Sequence, residues 1–201
     1  MEARKTAGNS CAGDVASGDV PPGDVITATR GWIEGAVIGL NLCPFAKSVY
    51  LGNRVRLVVS DVRTADALLG DLERELRALA RAAPEDVETT VLIHPHVLTS
   101  FLDYNDFLDV ADAAIDRLDL TGVLQIASFH PGYQFAGTAP DDVSNYTNRS
   151  PYPMLHLLRE ESVERAVDAY PGAERIPERN IETMRRLGLR GLPRHGYPER
   201  D

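Results

Sequence analysis

Two strand-helix-strand patterns in series, running from Arg54 to Phe129, constrain this chain more than any other feature of it. Arg54 to Ser60 alternates apolar and polar and then becomes apolar, as a strand does. Thr64 opens a helix whose stripe is Ala65, Leu68, Leu69, Leu72, Leu76, Leu79 and Ala83, and Pro84 ends it. Thr89 to Ile93 is a short β-branched strand. A second helix follows from Phe101 to Leu118, with Tyr104, Phe107, Leu108, Ala111, Ala114, Ile115 and Leu118 inward and Asp103, Asp106, Asp109, Asp112 and Asp116 on a solvated outer face. Val123 to Phe129 is the third strand.

Strand-helix-strand units of this kind imply parallel pairing through right-handed crossovers. The expected fold is therefore α/β: a small, mainly parallel sheet of three strands or slightly more, with crossover helices and a helical C-terminal part. All three strand C-termini then fall on one edge, where open α/β sheets bind ligands. His94 and His96, which follow the second strand, come near His130, which follows the third.

That third strand delivers a loop of more than twenty residues, Ser128 to Pro151, rich in His130, Asp141, Asp142, Asn145, Asn148 and Arg149. Structureless segments of this length inside a compact domain are uncommon and usually functional. Ser150-Pro151 reads as the N-cap and first position of a helix near Met154 to Glu161. A helix near Val163 to Ala169 and a last one after Pro177, with Ile181, Met184 and Leu187 inward and Gly188 as cap, complete the pattern.

The start of the chain carries Gly-Asp-Val three times, at Gly13, Gly18 and Gly23, among Ala, Ser and Pro. Residues 1–26 accordingly read as a disordered tail, 27–188 as a single α/β domain, and 189–201 as a flexible tail in which His195 is a poor site candidate. Within the domain, a first helix beginning at Thr27 or Thr29 buries Ile33, Ala36, Val37 and Leu40 and stops at Pro44. Cys43 then lies just past a helix C-terminus, whose partial negative charge does not favour a thiolate.

The formal net charge of -9 argues against nucleic acid or an anionic membrane surface as partner and favours a cationic or zwitterionic small molecule. No apolar run approaches the roughly 20 residues of a membrane helix, and the first ten residues lack the core of a secretory signal. The expected location is the cytoplasm, with Cys11 and Cys43 as free thiols and a homodimer left open.

Three sets of residues carry candidate chemistry. His94, His96 and His130 form the candidate metal set, each alternatively a core or surface histidine. Asp141 and Asp142 are candidate bases or substrate contacts. Arg149, at the end of the long loop, either holds a carboxylate or pairs with Asp141 or Asp142 to pin the loop. A haem iron would take His130 in preference to the Cys43 thiolate, with Tyr133, Trp32, Phe45, Phe129 and Phe135 walling the ring. The absence of a phosphate-binding Gly-rich loop and of Gly-x-Ser-x-Gly removes the common nucleotide and hydrolase readings.

The motifs Asn41-Leu42-Cys43-Pro44-Phe45, His94-Pro95-His96, Asn105-Asp106-Phe107-Leu108, Ser128-Phe129-His130-Pro131 with the loop after it, and Pro177-Glu178-Arg179-Asn180 resemble a bacterial single-domain family of unknown function. The resemblance runs from about Trp32 to Leu187. What it implies about activity is an association with haem-dependent N-oxygenation of amino acids. The leading expectation is thus a haem- or metal-dependent oxidoreductase, with a mononuclear Fe or Zn ion as the alternative cofactor. Two other readings stand beside it: a zinc-dependent hydrolase or lyase using His94, His96 and His130, and a non-catalytic haem- or metal-binding module.

Overall fold

A computed structural model describes residues 21–193 and Tyr197. In chain order the elements are α1 (Pro22–Trp32), a π-helix (Ile33–Ile38), α2 (Ala46–Leu51), β1 (Val55–Val59), α3 (Ala65–Arg81), β2 (Thr89–Ile93), α4 (Phe101–Arg117) and β3 (Leu124–Phe129). A 3-10 turn (Val143–Thr147), β4 (Met154–Arg159), α5 (Glu160–Asp168), a second 3-10 turn (Ala173–Arg175) and α6 (Ile176–Gly191) follow.

The sheet has four strands in the order β1-β2-β4-β3. β1 and β2 are parallel, but β4 runs antiparallel to both β2 and β3, pairing Leu92 with Leu155 on one side and Ser128 with Leu155 on the other. Four strands fall within the expected size of three or slightly more, but the expected mainly parallel pairing is corrected, since two of the three pairings are antiparallel. The segment read as a helix from Met154 is the strand inserted at the centre. Met, Leu and Arg favour helix, which misleads; the burial of Met154, Leu155 and Leu157 against both neighbours overrides that preference. Strand direction nonetheless puts the C-terminal ends of β1, β2 and β3 on one edge, because two antiparallel steps restore the original sense.

Side chains alternate across the sheet and give it two cores. Leu92, Leu124, Leu155 and Leu157 meet Leu68, Leu72, Leu76 and Leu79 of α3 and Tyr104, Phe107 and Ala111 of α4. Val91, Ile93 and Met154 meet Val25, Trp32, Ile33 and Ala36 near the N-terminus and Met184 of α6. Thr64 caps α3, its hydroxyl accepting from Ala67 N at 3.3 Å.

The first helix starts at Pro22, earlier than the pattern suggested. Pro is tolerated there, and Val25, Thr29 and Trp32 are buried one turn apart, so the third Gly-Asp-Val is helical. Thr27 and Thr29 bond back to the carbonyls of Gly23 and Val25 and do not cap. At the other end Leu192 and Tyr197 are buried, and Tyr197 Oη donates to Tyr146 O at 3.2 Å, so part of the expected tail is packed. The rest of the expected disordered and flexible tails, including His195, lies outside the described residues. Gly188 has φ 58, the left-handed conformation that Gly adopts freely, and kinks α6. Among the described residues no helix is long and apolar enough to cross a membrane.

Candidate functional site

His94 and His130 leave the ends of β2 and β3 on the same edge, with the start of β4 between them, and Tyr104 of α4 bridges them. The Tyr104 ring stacks on His94 with centroids 5.9 Å apart and meets His130 at 5.0 Å. Phe101, one helical turn earlier, lies 5.5 Å from His130 and 5.1 Å from Tyr133. The result is an imidazole-phenol-imidazole group closed on its outer side by aromatic rings.

The two imidazoles differ in what their nitrogens do. His130 Nδ1 accepts from Gly132 N at 2.9 Å, which leaves Nε2–H to donate to Leu98 O at 3.1 Å. Both nitrogens of His130 are therefore committed to backbone. His94 donates from Nδ1 to Val97 O at 2.9 Å, and its Nε2 is buried with no hydrogen-bond partner. Burial holds His94 neutral, its pKa pushed down to about 4, with the nearby His130 adding to the shift. Burial lowers His130 as well, against opposing bonds to the Leu98 and Thr99 carbonyls. His96 is half-buried in the turn after His94. Among the described residues no three His, Cys, Asp or Glu side chains come together as a metal-binding group, so the expected His94, His96 and His130 set does not converge on one point.

The long loop is tied internally. Asn145 Oδ1 accepts from Phe135 N and the Thr138 hydroxyl, and its Nδ2 donates to Ala139 O. Arg149 Nε donates to Tyr133 O at 3.2 Å, Nη2 donates to Pro140 O at 2.6 Å, and the guanidinium sits 4.5 Å from the centroid of the Tyr146 ring. Arg149 thus pins the loop, as one reading expected, through carbonyls and an aromatic face and not through Asp141 or Asp142. Asp142 caps the 3-10 turn, accepting from Ser144 N and Oγ, and those bonds hold its carboxyl below the usual range. Asp141 is exposed. Ser150 is buried and donates to Tyr152 O, which turns the chain into β4 and leaves no helix for it to cap.

A family model described as a protein of unknown function, DUF1415, matches residues 24–194. The chain belongs to the DUF1415 family. No curated protein and no solved structure matches it. The DUF1415 match takes in the whole sheet and every residue of the His94, Tyr104 and His130 group.

Elsewhere in the DUF1415 region, Cys43 lies in the turn between the π-helix and α2. Burial pushes its thiol up, only partly offset by backbone N–H groups of Phe45 and Ala46, so it stays protonated and is a poor thiolate ligand. The five aromatics expected to form one wall are dispersed. Trp32 and Phe129 pack edge-to-face at 5.1 Å on the sheet face opposite Tyr104, Phe45 meets Tyr170 at 5.6 Å, and Tyr133 and Phe135 pair at 5.0 Å in the loop. His156 sits on β4, its Nε2–H donating to Thr89 Oγ1 at 2.7 Å, since that hydroxyl spends its own proton on Leu157 O. Sequence reasoning missed the bridging role of Tyr104, although a buried phenol on an inward helix face always requires a polar partner.

Proposed function

We propose that this protein is a small haem-dependent oxidoreductase, its iron ligand Nε2 of His94, acting on a zwitterionic amine substrate. N-oxygenation of an amine-bearing amino acid in specialised metabolism is the most specific form of this reading. The supporting observation is the state of His94: neutral, anchored through Nδ1–H on Val97 O, and bare at Nε2. An imidazole fixed by a carbonyl on one nitrogen, with a free lone pair on the other, is how proteins present a histidine to a metal.

One such nitrogen suits a porphyrin, which supplies the iron's four in-plane bonds itself, whereas a lone iron or zinc ion needs several protein ligands. That favours haem over a single Fe or Zn ion, and it speaks against the zinc hydrolase or lyase reading, since no three such ligands come together among the described residues. Haem, when bound, supplies one-electron and oxygen chemistry. The chain's own part is to hold the imidazole tautomer through Val97 O, to keep charge off the ring by burial, and to wall the edge with Tyr104 and Phe101. His94 is fully buried, its Nε2 included, so loading a cofactor requires the packing around it to open. The acidic chain suits an ammonium-bearing substrate, and a cytoplasmic location suits the free Cys43 thiol.

The test is an absorption spectrum with metal analysis on the full-length protein. A Soret band with stoichiometric iron, lost in His94→Ala while the far-ultraviolet circular dichroism holds, is the expected result. Colourless protein carrying stoichiometric zinc overturns the haem, and a full Soret band in His94→Ala overturns the ligand. Turnover of an amine-bearing amino acid, followed by mass spectrometry, separates an enzyme from a haem-binding module.

A further inference from the structure

Two of the sequence motifs, Asn41-Leu42-Cys43-Pro44-Phe45 and Pro177-Glu178-Arg179-Asn180, take no part in the histidine group, yet the fold brings them together. Asn180 Nδ2 donates to Leu42 O at 2.9 Å and fastens α6 to the turn that follows the π-helix. Between them lies a solvent-open cleft of about 260 Å³, whose polar lining is Asn41, Arg179, Asn180, Thr183 and Arg186. No carboxylate lines it, on a chain whose formal net charge is -9.

The cleft is constructed from both sides. Along α6, Ile176, Asn180 and Thr183 recur at helical spacing and present one stripe to it, with Arg179 and Arg186 flanking. Arg179 is held in place by Tyr170, its guanidinium 5.5 Å from the ring centroid, and Tyr170 in turn packs edge-on against Phe45 at 5.6 Å. On the opposite side the π-helix ends in i to i-5 bonds, Gly39 N to Glu34 O and Leu42 N to Val37 O, and Asn41 takes φ 54, which sets its position on the rim. Such π segments recur at ligand sites because they displace the residues after them from regular helical positions.

We infer that this cleft binds the oxyanion group of a small molecule, a carboxylate or a phosphate, between Arg179 and Arg186, with the amides of Asn41 and Asn180 and the hydroxyl of Thr183 completing the recognition. Guanidinium pairs and neutral donors without a competing carboxylate are the donor set that planar or tetrahedral oxyanions require. A volume of about 260 Å³ suits one small ligand and not a polymer segment. The inference is independent of the His94 reading, because neither its residues nor its ligand chemistry involve the sheet edge.

The experiment is calorimetric titration of the full-length protein with inorganic phosphate and, separately, with succinate at constant ionic strength. Saturable one-to-one binding of either is expected, and the tighter of the two assigns the oxyanion. Arg186→Gln, which alters an exposed side chain, should weaken that binding at least tenfold, and Arg179→Gln combined with it should abolish it. Arg165→Gln removes the same charge from α5, where the side chain pairs with Glu161 and Ser162, and should leave binding within about twofold. Equal loss in Arg165→Gln and Arg186→Gln, or no saturable binding of either anion to the unaltered protein, overturns the assignment.

Discussion

The backbone N–H of Phe129 donates to the phenol oxygen of Tyr104 at 3.1 Å, and that phenol passes its own proton to Met154 O at 2.8 Å. One side chain from α4 thus joins the last residue of β3 to the first residue of β4 at the end of their ladder. Tyr104→Phe keeps the ring and removes the oxygen, leaving a strand N–H and a buried carbonyl without partners. The expected cost is about 1–3 kcal/mol in urea unfolding, with changed imidazole resonances of the stacked His94 and His130. An unchanged midpoint would mean that the bridge contributes nothing net.

Arg159, at the far end of β4, plays a comparable part for α3. Its Nη2 reaches Leu79 O, Ala82 O and Val87 O at 2.7, 2.6 and 3.1 Å, collecting carbonyls at the C-terminus of α3 and in the following turn, of which Leu79 O also accepts from Ala82 N at 3.2 Å. Arg159→Leu retains apolar bulk but takes away the donor that those oxygens share and removes a cation from a helix C-terminus. A loss of about 2–4 kcal/mol is expected. Arg165→Leu on exposed α5 should change stability by less than about 0.5 kcal/mol, and equal effects at the two sites would refute the capping role.

How much of this was legible beforehand can be judged at β4. The periods of α3 and α4 are long and regular, so Leu68, Leu72, Leu76, Leu79, Tyr104 and Phe107 declare themselves as core from spacing alone. Met154–Arg159 is only six residues, lacks β-branched side chains, and is apolar on both faces, which a buried strand and a helical turn share. Pro151 and Pro153 before it were the available signal, since Pro153 sits just ahead of the first strand residue and Ser150, next to Pro151, turns on Tyr152 O. The edge that gathers His94 and His130, and with it their nearness, was readable because strand sense survives the insertion of β4; the Tyr104 ring set against both was not. Which imidazole nitrogen stays bare could not be read at all, because Val97 O, Leu98 O and Gly132 N select it through turn geometry.

Loop order should rest on Arg149 more than on either carboxylate. Arg149 joins Tyr133 O, Pro140 O and the Tyr146 ring, so Arg149→Gln frees two turns of the loop from each other. Faster amide exchange is expected at residues 133–147, with the protection of β2 and β4 unchanged. Asp142→Asn keeps an oxygen for Ser144 N and should disturb only the 3-10 turn, and Asp112→Asn on the outer face of α4 should leave the loop unaffected. Loop exchange in Arg149→Gln equal to that in Asp112→Asn would count against the staple.

Stability should fall with acidification before the carboxylates begin to titrate. His94 has a folded pKa of about 4 against an ordinary 6.5, because burial disfavours its charged form, and His156 is pushed to about 4 and His130 downward for the same reason. Between pH 6.5 and about 4 the unfolded chain binds protons at these positions and the folded chain does not. Their contribution is therefore complete above pH 6.5 and declines through that window until the folded imidazoles themselves protonate near pH 4. For His94 alone the difference corresponds to roughly 3 kcal/mol. Asp71, Glu73 and Asp142, held below ordinary values of 3.8 and 4.5, act in the same direction, but their losses begin lower, as pH drops through those values. Urea unfolding at pH 7.5, 6.5, 5.5 and 4.5 should show the midpoint dropping steadily below 6.5, and His94→Gln, which removes one titrating ring, should flatten the profile. A midpoint independent of pH from 7.5 to 4.5 would mean that these imidazoles are hydrated, and that the bare Nε2 of His94 is in contact with water.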